Sequence, residues 1–297
     1  MTLSPILLFA FKRLKLLKLT VEALKKNDLA SESELFIFSD APKSEKDQFA
    51  VSEVRNYIQT ITGFKKIEII EASDNKGLAN SIIDAVTTKF KAYDSVIVLE
   101  DDLLTSSNFL SFMNQGLEFY KNKEEVFSIS GFSFEIKGLP QNQVYFTKRA
   151  SSWGWATWKD RWENIDWEIK DYNNFKKNKL IRRKFNEMGS DMTGMLDKQM
   201  KGEMDSWAIR WCYHQFRKQS FTVYPVFSKV KNNGFGEDAT HTREHINRYD
   251  TVLDNSSNFN FNFNATIELD PLIVKQFTKH YSLRFRIFYK LLNLLLK

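Results

Sequence analysis

Residues 96–102 read Val96-Ile97-Val98-Leu99-Glu100-Asp101-Asp102. Four apolar residues run directly into three adjacent carboxylates. The apolar run predicts a buried strand. Like charges at this spacing repel, and each loses hydration where its surroundings are partly dry, so packing alone does not account for the cluster. A divalent cation would account for it, because hard cations take oxygen ligands.

Working outward, strand-like and helix-like segments alternate through the first 130 residues. Strands are expected at Ile6–Phe11, Glu34–Ser39, Lys66–Glu71, Ser95–Leu99 and Val126–Ser130. Helices are expected at Lys15–Lys26, Val51–Ile61, Leu78–Phe90 and from about Asn108 to Tyr120, each with apolar residues at helical spacing. This alternation predicts a mainly parallel sheet with helices on both faces. In such sheets ligands bind beyond the carboxyl ends of the strands. The polar residues expected there are Lys12-Arg13, Asp40, Asp74-Asn75-Lys76-Gly77 and Glu100-Asp101-Asp102.

The chain has 297 residues, 42% hydrophobic and 27% charged, which predicts a folded globular protein. The formal charge of +6 suits an anionic ligand or an acidic membrane surface. One cysteine, Cys212, excludes an internal disulfide framework and a cysteine-based zinc site, and fits a reducing compartment. The apolar stretch at Pro5–Phe11 has its positive charges after it, so it reads as a first strand rather than a leader. No apolar run approaches the roughly 20 residues that span a bilayer. A cytoplasmic location is expected, with peripheral contact at the inner face of the membrane as an option.

Val-Ile-Val-Leu-Glu-Asp-Asp-Leu, with Asn108-Phe109-Leu110 after it, resembles the metal-binding Asp-x-Asp-type motif of GT-A glycosyltransferases. The Glu-Asp-Asp form is similar to that of the N-acetylglucosaminyltransferase I-like group. The segment Arg149-Ala-Ser-Ser-Trp-Gly-Trp-Ala-Thr-Trp158 resembles bacterial sugar transferases related to that group. The resemblance covers roughly residues 3–245. It implies an α/β GT-A (Rossmann-like) fold, a mixed, mainly parallel sheet flanked by helices, with a C-terminal helical tail. A domain of residues 1–245 and an extension of residues 246–297 are expected.

The resemblance also implies roles. Asp102 would ligate Mn²⁺ or Mg²⁺, and Glu100 and Asp101 would contact ribose or donor sugar. Arg13 matches a nucleotide-contacting arginine, and Asp40 matches an acid that hydrogen-bonds the uracil base. The turn at Asn75, Lys76 and Gly77 opens a helix whose free N–H groups could face phosphate, although ordinary turn chemistry explains it equally well. Asp205, in Glu203-Met204-Asp205-Ser206-Trp207, matches the catalytic base; the alternative is an N-cap. His241, in the glycine-containing segment 232–242, is a candidate for holding metal or diphosphate.

Seven tryptophans lie between Trp153 and Trp211. Trp155, Trp158 and Trp162 recur at helical spacing, which predicts core packing. The tail helix at 283–297 carries Arg286, Lys290, Asn293 and Lys297 on one stripe amid apolar residues. It suits an acidic membrane surface or docking on the domain.

The expected activity is metal-dependent, inverting transfer of a sugar from a UDP-sugar to a glycan or lipid-linked acceptor, in bacterial surface polysaccharide assembly. No nucleic-acid partner is expected. The alternatives are a nucleotidyltransferase of sugar phosphates, which usually has a glycine-rich loop where Phe11-Lys12-Arg13-Leu14 has none, and a non-catalytic membrane-peripheral binding protein.

Overall fold

The computed structural model describes residues 2–235 and 247–295. Its strands are β1 (Ile6–Ala10), β2 (Glu34–Ser39), β3 (Lys66–Glu71), β4 (Ser95–Glu100), β5 (Leu103–Thr105), β6 (Val126–Ser130), β7 (Val144–Thr147), β8 (Trp155–Trp158), β9 (Phe221–Pro225) and β10 (Val230–Asn232). The longer helices are α1 (Leu14–Lys25), α2 (Gln48–Ile58), α3 (Gly77–Lys89) and α4 (Phe109–Tyr120). They are followed by α5 (Lys159–Trp162), α6 (Tyr172–Lys177), α7 (Lys179–Phe185), α8 (Met192–Met200), α9 (Trp207–Lys218), α10 (Pro271–Lys279) and α11 (Leu283–Leu295).

Among the described residues, eight strands form one sheet in the order β3-β2-β1-β4-β8-β6-β9-β7. β2, β3 and β4 extend β1 in parallel, and β9 runs parallel to β6. β8 is antiparallel to both of its neighbours, and β7 is antiparallel to β9. The result is the expected mixed, mainly parallel α/β sheet flanked by helices, with helical segments at the end of the chain.

Alternation along the strands builds two cores. Ile6, Leu8 and Ala10 of β1 with Ile97 and Leu99 of β4 face one core, roofed by α1, α2 and α4. Leu7 and Phe9 with Val96 and Val98 face the other, roofed by α3 and α9. Strands covered on both sides read as continuous apolar runs, as β1 and β4 do.

One expectation changes. Trp155 and Trp158 lie on strand β8, not on a helix, although both are buried. The strand is flanked by β4 and β6 and covered on both faces. Trp155 joins one core while Ala156 and Trp158 join the other, the period of 2 that a strand requires. Trp162 begins no long helix; it ends the four-residue α5 and stacks on Trp155. The segment after 246 contributes to the packing of the sheet. Ile273, Phe277 and Tyr281 sit in the same core as β1, and Asp254 is buried against Lys229, so this segment is packed into the sheet's own layers.

Candidate functional site

The sheet's strand order reverses at β1, with β2 on one side and β4 on the other. Crevices beyond such reversal points are where α/β sheets bind ligands. β1 and β4 are in register through Phe9 opposite Glu100, so the residues that follow both strands meet at one edge.

Arg13 precedes α1 as its N-cap, and its guanidinium reaches the acidic triplet. It pairs with Asp101 and, at 2.9 Å, with Asp102 Oδ2. Thr20 of α1 donates to the Asp101 carbonyl oxygen at 2.9 Å, fixing the backbone there. Asp101 and Asp102 are buried. Burial pushes Asp101 up to about 6 against the pull of Arg13. Burial, reinforced by Asp102 and Asp101, pushes Glu100 up to about 8. For Arg13, burial favours the neutral form, but Asp101 and Asp102 outweigh it and hold the guanidinium above its ordinary pKa.

One oxygen of each aspartate remains. Asp101 Oδ2 and Asp102 Oδ1 are buried with no hydrogen-bond partner among the described residues. An unpaired buried carboxylate oxygen is costly and calls for a partner. Two anionic oxygens at one edge fit a hard divalent cation. No group of three or more His, Cys, Asp or Glu side chains forms a metal cage among the described residues. One or two carboxylates of this kind would suit a Mg²⁺- or Mn²⁺-type ion that takes its remaining ligands from elsewhere.

The ribbon of β5 and β10 closes over this edge. Antiparallel pairing sets Leu103 opposite Asn232. The next amide, Asn233 N–H, donates to the Asp102 carbonyl oxygen at 2.8 Å. A Cβ at Gly234 would collide with the Asp102 carboxylate, which would have to move to admit any larger residue. His241, further along the same segment, lies outside the described residues.

Asp40 does a different job from base recognition alone. Its Oδ1 accepts from the amides of Ala41 at 2.9 Å and Lys76 at 3.0 Å. Its Oδ2 accepts from Gly77 N–H at 3.0 Å and Asn75 Nδ2 at 3.2 Å. Asn75 also donates to the Ala41 carbonyl oxygen at 2.7 Å. Asp40 thus caps α3 from a neighbouring strand end, taking the amides of Lys76, which precedes the helix, and of Gly77, its first residue. Gly77 begins α3 with φ of 73°, a left-handed conformation suited to glycine. Lys76 points its ammonium at Asp84, 2.9 Å away. Lys12 likewise pairs with Asp47 at 2.6 Å.

Asp205 reaches the same turn from the other side. Ser206, not Asp205, caps α9, accepting from Ile209 N–H at 3.3 Å. The capping alternative is thereby excluded, and the Asp205 side chain stays 61% exposed, with Arg210 at 3.3 Å as its partner. Asp205 Oδ2 lies 4.0 Å from where a Cβ on Gly77 would stand. Sequence reasoning missed Arg210, Ser206 and the role of Gly234. The Ser206 cap was readable as a serine directly before an amphipathic run. Gly234 was not, because its partner is 132 positions earlier.

Trp153 adds an aromatic wall. Its ring meets Phe132, Phe235 and Tyr249 at centroid distances of 4.8, 5.7 and 5.4 Å.

No protein-family model matches the sequence, and no curated protein matches it. Solved structures with similar regions include a mannosyltransferase from Pyrobaculum calidifontis in complex with GDP-Man and Mn²⁺, at 12% identity and a TM-score of 0.39 over 53% of this chain and 44% of that one. S. aureus TarS 1–349 in complex with UDP-GlcNAc is similar at 12% identity and a TM-score of 0.32, over 47% of this chain and 37% of that one. The galactosyltransferase LgtC, in complex with donor and acceptor sugar analogues, is similar at 13% identity and a TM-score of 0.39, over 74% of this chain and 72% of that one. The chain thus spans less than half of the mannosyltransferase and of TarS 1–349.

Proposed function

We propose that this chain is a metal-dependent glycosyltransferase that moves a sugar from a nucleoside diphosphate donor, UDP-linked, to a hydroxyl acceptor with inversion. The observation that carries the reading is the pair of buried oxygens on Asp101 and Asp102, unpartnered among the described residues, at the reversal point of the sheet. The Glu-Asp-Asp motif supports it by its resemblance to the N-acetylglucosaminyltransferase I-like group, and the tryptophan segment by its resemblance to bacterial sugar transferases related to that group.

Asp102, with Asp101 beside it, would hold Mn²⁺ or Mg²⁺, which offsets leaving-group charge on the nucleoside diphosphate. Arg13 neutralises the same carboxylates and places positive charge at the diphosphate side of the site. Asp40 holds the 75–77 turn in place for the nucleotide. Asp205 takes the acceptor hydroxyl's proton as that oxygen attacks the anomeric carbon and the bond from that carbon to phosphate oxygen breaks. Its exposure leaves it open to an acceptor arriving from solvent. His241 is proposed to help hold metal or diphosphate. The proposed setting is cytoplasmic and belongs to bacterial surface polysaccharide assembly, with a glycan or lipid-linked acceptor.

A thermal-shift screen of UDP, CTP and GDP with and without Mn²⁺ tests the donor. Metal-dependent stabilisation by UDP alone is expected. A UDP-sugar panel then tests the chemistry: Asp205→Asn should abolish transfer and keep UDP stabilisation. Full transfer by Asp205→Asn would remove Asp205 as the base.

A further inference from the structure

The activity proposed above leaves the last helix unused. α11 buries none of its residues. Leu283, Ile287, Leu291 and Leu294 recur at helical spacing on one side and are all exposed, Leu283 by 58% and Leu291 by 55%. Phe288 and Leu295 widen that side, Leu295 being 83% exposed. The half-buried side of the helix runs along Phe285, Tyr289 and Leu292, with Phe285 against His280, so the stripe is left uncovered on the opposite side.

The charge around the stripe identifies its occupant. Residues 271–297 contain six cations, Lys275, Lys279, Arg284, Arg286, Lys290 and Lys297, and no acid. The whole chain carries a formal charge of +6, so this segment holds all of the excess and the remainder nets to zero. On α11, Arg284 lies within the apolar arc and Lys290 and Arg286 flank it. Long basic side chains in that position bury their stems and keep their charge at a polar boundary. Arg286 also donates to Ser190 at 3.3 Å, tying the helix's first turn to the domain.

We infer that α11 is an interfacial anchor that lies in the plane of an anionic phospholipid bilayer, with its leucine and phenylalanine side among the acyl chains. Apolar burial and attraction to anionic headgroups add in such helices, and neither alone gives firm binding. Nucleic acid would match the charge but not the apolar stripe. A second copy of the chain would match the stripe but would bring six like charges together.

Co-sedimentation of the full chain with phosphatidylcholine vesicles, with and without phosphatidylglycerol, tests this. Binding is expected only with phosphatidylglycerol and should weaken with salt. Arg284→Glu/Lys290→Glu should lower partitioning by roughly tenfold or more. Ile287→Glu/Leu291→Glu should abolish it. All four positions are on α11, which buries no residue, so both variants should keep the thermal midpoint and the UDP-dependent stabilisation. Equal binding to neutral vesicles, no binding to either, or binding untouched by the variants would overturn the inference. So would a dimer in lipid-free solution that Ile287→Glu/Leu291→Glu dissociates.

Discussion

Gly234 presses on Asp102: a Cβ at position 234 has no room beside the Asp102 carboxylate. The stretches that follow β4 and β10, far apart in sequence, therefore meet at the residue proposed to hold the metal. Gly234→Ala should force that carboxylate off its position. The expected outcome is loss of Mn²⁺-dependent UDP stabilisation by about tenfold in affinity, with a stability cost of roughly 1–3 kcal/mol for the overpacking. Titration calorimetry and urea denaturation read the two effects separately, and an unchanged Mn²⁺ response would mean that the carboxylate is not the ligand.

Asp40 is expected to be first a structural cap. Asp40→Ala strips acceptors from the amides of Lys76 and Gly77 and should cost about 1–2 kcal/mol in urea denaturation. Asp40→Asn keeps one carbonyl acceptor and should cost less. If both variants were as stable as the parent, the cap assignment would fail.

Metal affinity should depend on pH. Asp101 at about 6 and Glu100 at about 8 both hold protons above the usual carboxylate range because they are buried together. A cation must displace those protons, so Mn²⁺ affinity should climb as pH rises from 6 to 8, with proton release on binding. Without metal the sign for stability is opposite. The folded state binds protons that the unfolded state has already lost, so these groups' contribution to stability falls as pH rises from the ordinary carboxylate range towards about 8. Calorimetry in two buffers of different ionisation enthalpy counts the protons released; a count of zero would place the cation elsewhere.

Lys229 and Asp254 form an ion pair with both side chains 1% exposed, and Asn108 donates to the same Asp254 oxygen at 3.0 Å. Asp254→Ala leaves a buried ammonium unpaired and should cost about 3–5 kcal/mol. Lys229→Met/Asp254→Leu should recover most of that, because it removes both charges. Urea denaturation of the two variants checks this, and equal losses would contradict it.

His280 stacks face to face on Phe134 at 3.8 Å, with its Nδ1 buried and unpartnered among the described residues. Burial, aided by Lys279, pulls its pKa down to about 4. The unfolded chain protonates this ring near 6.5, so its contribution is intact above that pH and is lost as pH falls towards about 4. The loss should reach on the order of 2 kcal/mol. His280→Phe should hold its midpoint better than the parent over that window, and identical pH profiles would refute the assignment.

Much of this molecule was legible in its one-dimensional pattern. β1 to β4, β6 and the helices between them follow from hydrophobic periodicity, because a two-face sheet imposes its order on every residue locally. The strand-end position of Glu100-Asp101-Asp102 follows from the same reasoning. The tryptophan segment misled, because the spacing of Trp155 and Trp158 matches a helix, whereas flanking by β4 and β6 makes it a strand. The fate of the tail was equally unreadable. Whether Leu283, Ile287 and Leu291 are covered depends on what the rest of the chain offers them, and burial is a property of the assembled surface. The pairing of Arg13 with Asp101, of Asp40 with the amides of 76 and 77, and of Gly234 with Asp102 joins residues 36 to 132 positions apart. Local sequence carries the propensity to form each element, but such contacts exist only once the sheet has set its register and brought the strand ends to one edge.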